Sequence, residues 1–199
     1  LIAFHRTLLC HQQKDPLRIM IEALIDLFNL KPLNVEGGLF AQTYVSAERI
    51  EAHHLPARFA SEHPYGTAIL YLLTADANSF SALHRLPTDE VYHFYLGDPV
   101  MLLQLYSDGR SGHIILGHDV LKGQRVQYVA PRHVWQGSFV MPGGTFALLG
   151  TTMAPGFMHE DYEGGKRDSL IAQYPHEAEL IRRLTRTDAL SQMSSGDEA

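Results

Sequence analysis

The segment HRLPTDEVYHFYLG carries the side chains best placed for chemistry: His84 closes one strand-like run, a turn with Pro87 and Asp89 follows, and Glu90 opens the next run, which ends at Gly97. Two antiparallel strands joined there bring an imidazole and a carboxylate close together. A buried imidazole beside a carboxylate gains basicity and a fixed tautomer, so the pair suits a general base, a ligand clamp or part of a metal site. If His84 points inward, alternation along its strand puts Phe80, Ala82 and Leu86 on the same wall. The plain alternative is that a His and a Glu flanking a hairpin turn are solvated turn residues.

The elements that must hold this pair are mostly strands. Short runs rich in Tyr, Phe, Val, Ile and Leu occupy 38–46, 67–74, 79–86, 90–97, 100–107, 111–117, 125–130, 133–140 and 146–154, separated by Gly, Pro, Asp-Gly and Pro-Gly-Gly turns. Without helices between them, such runs predict an all-β jelly-roll barrel rather than a parallel sheet. Asp15-Pro16 followed by LRIMIEALIDLF reads as an N-terminal helix, with Ile21, Leu24, Ile25 and Phe28 at helical spacing. RDSLIAQYPHEAELIRRLT predicts a C-terminal helix beginning near Pro175, with Leu180, Ile181 and Leu184 towards the barrel. Residues 1–18 are read as a loosely attached leader, 19–187 as a single domain and 188–199 as a polar tail.

A chain of 199 residues that is 45% apolar can bury a core unaided. Its net charge of −6, with 16 basic residues spread along the chain, predicts neither a nucleic-acid nor an anionic-membrane partner. Cys10 is the only cysteine, so no internal disulfide or cysteine-built zinc site can form. No run reaches the roughly 18 to 20 apolar residues of a membrane span, and the first nine residues lack a secretory pattern. A soluble, cytoplasmic protein with a small-molecule ligand is the expectation.

Four blocks in order, VEGGLFAQTY (35–44), SALHRLPTDEVYHFYLGDPV (81–100), VWQGS (134–138) and TTMAPGFMHEDYE (151–163), resemble uncharacterised proteins of the cupin superfamily. The spacing of His84, Glu90 and Gly97 is similar to the first cupin motif, and PRHVWQGSFV, with Pro131, to a degenerate second one. The resemblance covers residues 19–186. It implies a cupin double-stranded β-helix with an N-terminal and a C-terminal helix, a homodimer, similarity to the sugar-nucleotide epimerases of the class, and no settled activity. Metal-binding cupins use three His and one Glu, whereas Leu86 and Gln136 stand at two of those His positions here. The resemblance therefore implies no required metal. A divalent metal, if held, would take His84, Glu90, Gln136 and a borrowed His93, although alternation from Glu90 turns His93 to the opposite face.

On this reading His84 and Glu90 are the catalytic candidates, and Gln136, Tyr44, Tyr92, Tyr128, Arg85 and Trp135 the ligand-binding ones. A tyrosine would supply a phenol, Trp135 a stacking face and Arg85 an anion clamp at the mouth. Gly37-Gly38 reads as a tight entry to the first strand, and Pro155 to Glu163 as the turn leaving the barrel. Three functions fit. One is a metal-independent epimerase or isomerase of a sugar or nucleotide-sugar, with His84 as base, Glu90 orienting it and a tyrosine returning the proton. The others are a metal-dependent oxygenase or isomerase and a metabolite-binding barrel without catalysis.

Overall fold

The computed structural model describes residues 16–186. Most of the expected leader and the whole expected tail lie outside them. Residues 16–18 do not belong to a leader, because they open helix α1 (Pro16–Phe28). The strands are β1 (Lys31–Pro32), β2 (Leu39–Val45), β3 (Arg49–Ile50), β4 (His63–Pro64), β5 (Thr67–Thr74), β6 (Phe80–Arg85) and β7 (Glu90–Gly97). They continue as β8 (Val100–Leu105), β9 (Ser111–Leu116), β10 (Gln127–Ala130), β11 (Trp135–Val140), β12 (Phe146–Met153) and β13 (Glu163–Gly164). Helices α2 (Arg167–Gln173) and α3 (Ala178–Arg183) close the described chain. The C-terminal helical stretch is interrupted at Pro175, whose ring lacks the N–H that a continuous helix needs, and the final helix follows it as the sequence predicts.

Two antiparallel sheets face each other. One runs β1-β2-β5-β12-β7-β10 and the other β13-β6-β11-β8-β9. Tyr71, Leu73, Phe94, Leu102 and Leu149 meet between them, and strand alternation sends the neighbours of these residues outward. Each outer face is covered by helix. Ile21, Leu24, Ile25 and Phe28 of α1 pack on Leu72, Phe146 and Leu148, while Leu170, Tyr174, Ile181 and Leu184 cover Phe80, Leu83, Leu103 and Phe139. Both helical stripes named in the sequence are therefore used, each to seal one sheet.

The register of β6 carries one irregularity that matters for the site. Gln136 pairs with His84 but Ser138 pairs with Ser81, so β6 has an extra residue there. The bulge at Ala82-Leu83 breaks the expected alternation: Phe80 and Ala82 join the outer cluster, whereas Ser81 and His84 both face inward. Leu86 stays on the inner wall as expected.

Candidate functional site

A cavity of about 60 Å³ lies between the sheets, lined on its polar side by Glu36, His84, Glu90 and Tyr162 and elsewhere by Phe40, Ile69, Leu86, Met153 and Phe157. A water needs about 10–15 Å³ of such space, so the cavity accepts a ligand of only a few heavy atoms.

His84 is 1% exposed, and its Nδ1–H donates to the Ala82 carbonyl at 2.8 Å. Its Nε2 stands 3.9 Å from Oε2 of Glu90 and 3.4 Å from Nε2 of Gln136. Gln136 donates that same amide nitrogen to Glu90 Oε2 at 2.6 Å. The Tyr162 ring stacks on the imidazole, with centroids 5.2 Å apart. Burial is the largest single influence on His84 and works to lower its pKa. The Glu36 charge, the hydrogen bond and charge of Glu90, and the Ala82 carbonyl together outweigh it and raise the group from 6.5 to about 9. His84 is an imidazolium at neutral pH.

Glu36 completes the site. Its side chain accepts from Ser81 Oγ at 2.5 Å, and burial pushes its carboxyl above the ordinary value, against the opposing pull of the His84 charge. Its position is fixed by the two glycines that follow. Gly37 and Gly38 have φ of +105° and +67°; a Cβ on Gly37 would fall 2.3 Å from the Phe80 carbonyl, and one on Gly38 would fall 2.8 Å from the Tyr71 ring. Tyr71 donates to the Gly37 carbonyl at 2.8 Å, and the Ala82 N–H donates to the Glu36 carbonyl at 2.8 Å. The tight entry expected of Gly37-Gly38 is therefore also the device that aims Glu36 at His84. Gly38→Ala is expected to cost roughly 2–4 kcal/mol, combining left-handed strain with overpacking, measurable as a fall in the urea midpoint.

Residues 154–163 are more than an exit turn. The Phe157 N–H donates to Thr67 Oγ1 at 2.9 Å, and Asp161 accepts from the Met158 N–H at 3.1 Å and pairs with His63 Nε2 at 3.0 Å. His63 is itself fully buried, with Nδ1 3.0 Å from the Ser61 carbonyl. This clip folds the segment over the barrel end and presents Tyr162 and Phe157 to the cavity. Burial and the Glu36 charge raise the Tyr162 hydroxyl, which stays protonated.

The other residues singled out in the sequence divide by face. Tyr92 is buried on the same side of β7 as Glu90, whose charge, after burial, raises its pKa. Gln136 does not line the cavity but holds Glu90 from behind. Tyr128 donates to Gln104 Oε1 at 2.8 Å, also outside the cavity lining. Arg85 and Trp135 each adjoin an inward residue in a strand, so both face outward. Arg85 grips Glu163 through two bonds of 2.7 and 2.8 Å and lies 4.6 Å over the Trp135 ring, beside an open groove that Lys166 also lines. Tyr44 is exposed beyond a bulge in β2. His93 faces away from Glu90 and bonds Thr152 Oγ1 at 3.1 Å, so it is not available to a metal held by Glu90. Glu36 and Tyr162, both inside quoted blocks, were not picked out by the sequence reading; a carboxylate next to a Gly-Gly pair was the available signal for the first.

Two antiparallel sheets closed face to face around a small site of acid and base define a cupin-type barrel. The chain belongs to the cupin superfamily family DUF985, whose model matches residues 22–164. It is 28% identical over 136 residues to the uncharacterised protein YML079W of Saccharomyces cerevisiae, a match covering 64% of this chain and 66% of the yeast protein, just under two thirds of that relative's length. Protein SO0799 from Shewanella oneidensis is similar in structure, with a TM-score of 0.72, 27% identity and coverage of 83% of this chain and 96% of that one. A hypothetical protein from Leishmania major is similar too, with a TM-score of 0.73, 26% identity and coverage of 82% and 97%. Among the described residues no helix is long and apolar enough to cross a membrane.

The donor set in the cavity does not fit the metal that many cupins hold. His84, Glu90 and Glu36 are the strong donors but do not bring their ligand atoms mutually within 4.8 Å, Leu86 offers none, and Gln136 turns its amide nitrogen rather than its oxygen towards Glu90 and His84. Among the described residues, the three His, Asp or Glu side chains with ligand atoms mutually within 4.8 Å are Glu51, His53 and His54, all exposed and away from the cavity lining. Zn²⁺ titration followed by calorimetry is expected to find weak binding that falls at least tenfold in a His53→Ala/His54→Ala double variant and is unchanged in His84→Ala.

Proposed function

We propose that the cavity binds a small uncharged hydroxy-carbonyl compound, of the class that includes simple sugars, and moves a proton on it. One observation carries this reading: Glu36 and His84, both with raised pKa values, face one small, largely apolar cavity. The roles differ from those expected of the sequence. His84 already carries its proton at neutral pH, so Glu36 is the base and His84 the positive charge that stabilises an enolate. Glu36 takes the proton α to the carbonyl, the C–H electron pair forms the enolate double bond, and negative charge moves to the carbonyl oxygen. Tyr162, kept protonated, donates a hydrogen bond to that oxygen. Return of a proton to the opposite face of the same carbon epimerises the ligand, whereas return to the former carbonyl carbon, with the α-hydroxyl proton passing to the enolate oxygen, isomerises it.

No Lys or Arg is among the described residues that line the cavity, and the His84 charge is already met by Glu36 and Glu90. This disfavours phosphorylated ligands and narrows the class to unphosphorylated compounds rather than nucleotide-sugars. The test is incubation with glyceraldehyde, dihydroxyacetone or erythrulose in D₂O, read by proton NMR. Protein-dependent exchange of the α-hydrogen supports the reading. Binding without exchange would make the barrel a metabolite binder, and neither binding nor exchange across the three compounds would overturn the ligand class.

A further inference from the structure

Beyond the cavity, the inner face of the β13-β6-β11-β8-β9 sheet holds a second polar cluster. Gln104 is fully buried and lies directly across from Gln136 in the β8–β11 register, with Ser138 two residues along β11. Gln104 Oε1 accepts from both Tyr106 at 2.7 Å and Tyr128 at 2.8 Å, which fixes the amide so that its nitrogen is turned the other way. Among the described residues, Gln104 Nε2, Gln136 Oε1 and Ser138 Oγ are each buried without a hydrogen-bond partner. These are a donor, an acceptor and a group that is both, gathered on two neighbouring strands of one face.

We infer that Gln104, Gln136 and Ser138 bind one internal water, which accepts from Gln104, donates to Gln136 Oε1 and completes its bonds on Ser138. Buried waters commonly make about three hydrogen bonds to otherwise unpaired polar groups, which is the set offered here. The consequence reaches the acid–base site. Gln136 can present either its nitrogen or its oxygen to Glu90 and His84, and holding its oxygen from behind keeps the N–H on the Glu90 carboxylate. Gln104, anchored by two tyrosines, is thus a positioning residue for Glu90. The effect on the His84 charge rests on the reading of the cavity given above, whereas the water itself does not.

The test uses the full chain, with water as the probe. A crystal structure beyond about 1.5 Å is expected to show a water within hydrogen-bond reach of all three atoms, and NMR magnetisation transfer is expected to pass from that water to the Gln136 side-chain amide. Gln104→Met, which keeps the volume, should remove both signals and move the His84 titration midpoint by half a unit or more. Ser138→Ala, the milder change, should weaken the transfer and shift the midpoint in the same direction, so a Gln104→Met chain that fails to fold leaves the inference open to test. A direct bond between Gln104 Nε2 and Gln136 Oε1, with no water, would overturn it. A water whose loss leaves the His84 midpoint fixed would overturn the positioning role of Gln104. Failure of α-hydrogen exchange alone would count against the proposed reaction and not against the water.

Discussion

Glu36→Gln is expected to slow α-hydrogen exchange by about 10²–10⁴-fold, the usual worth of a general base, while ligand affinity changes only a few-fold. The amide keeps the shape of the carboxylate and can still accept from Ser81, so the Gly37-Gly38 turn has no reason to move. It cannot take a proton. The same substitution removes the largest of the influences that raise His84, so the imidazole midpoint should fall from about 9 toward its ordinary value. The two readouts belong to one change. Loss of exchange without any fall in the midpoint would show that Glu36 acts apart from His84, and a fall in the midpoint with exchange intact would remove Glu36 from the role of base.

The second large effect is on stability. His84 binds its proton more tightly in the folded chain, at about 9, than in the unfolded chain, at 6.5. Its contribution is therefore present in full below pH 6.5, fades as pH rises and is lost once pH passes about 9. The difference corresponds to on the order of 3 kcal/mol, or roughly 6–12 °C in Tm for a domain of this size. Glu36, whose folded value is also raised, acts in the same direction at lower pH: it favours the fold below 4.5 and ceases to as pH rises through its folded value. Thermal unfolding of the wild type between pH 6 and 9.5 should show this decline, and His84→Gln should flatten it. An equal slope in the variant would place the pH dependence elsewhere.

Much of the architecture was legible because it follows from periodicity and turn chemistry. Alternating apolar runs between Gly and Pro turns marked the strands, and Ile21, Leu24, Ile25 and Phe28 marked the stripe by which α1 seals one sheet. The nearness of His84 and Glu90 was expected from a hairpin, but β6 and β7 do not pair: they lie in opposite sheets, and the short connection between them carries the chain across the barrel, so the two side chains meet from facing walls. The face of His93 followed from alternation along β7, whereas Arg85 and Trp135, offered as ligand contacts, sit beside the inward His84 and Gln136 and face out. The β6 bulge was not legible, because Ser81 and Ala82 are both small enough for either face and only the pairing with β11 decides between them. Nor was the approach of Glu36 or Tyr162 to His84, since these come from segments 48 and 78 positions away in the chain and meet it only when both sheet ends close. Charge followed the same pattern: the sequence offered His84 as a base, but two carboxylates around one buried ring leave it protonated.

The most direct test of the acid–base site is the titration of His84 itself, followed by ¹⁵N NMR of the imidazole in the wild-type chain and assigned with His84→Gln. A midpoint near 9, falling in Glu36→Gln, is the expected result. A midpoint at or below the ordinary 6.5 would mean that burial outweighs the two carboxylates, that the cavity holds a neutral imidazole, and that the roles given to Glu36 and His84 are wrong.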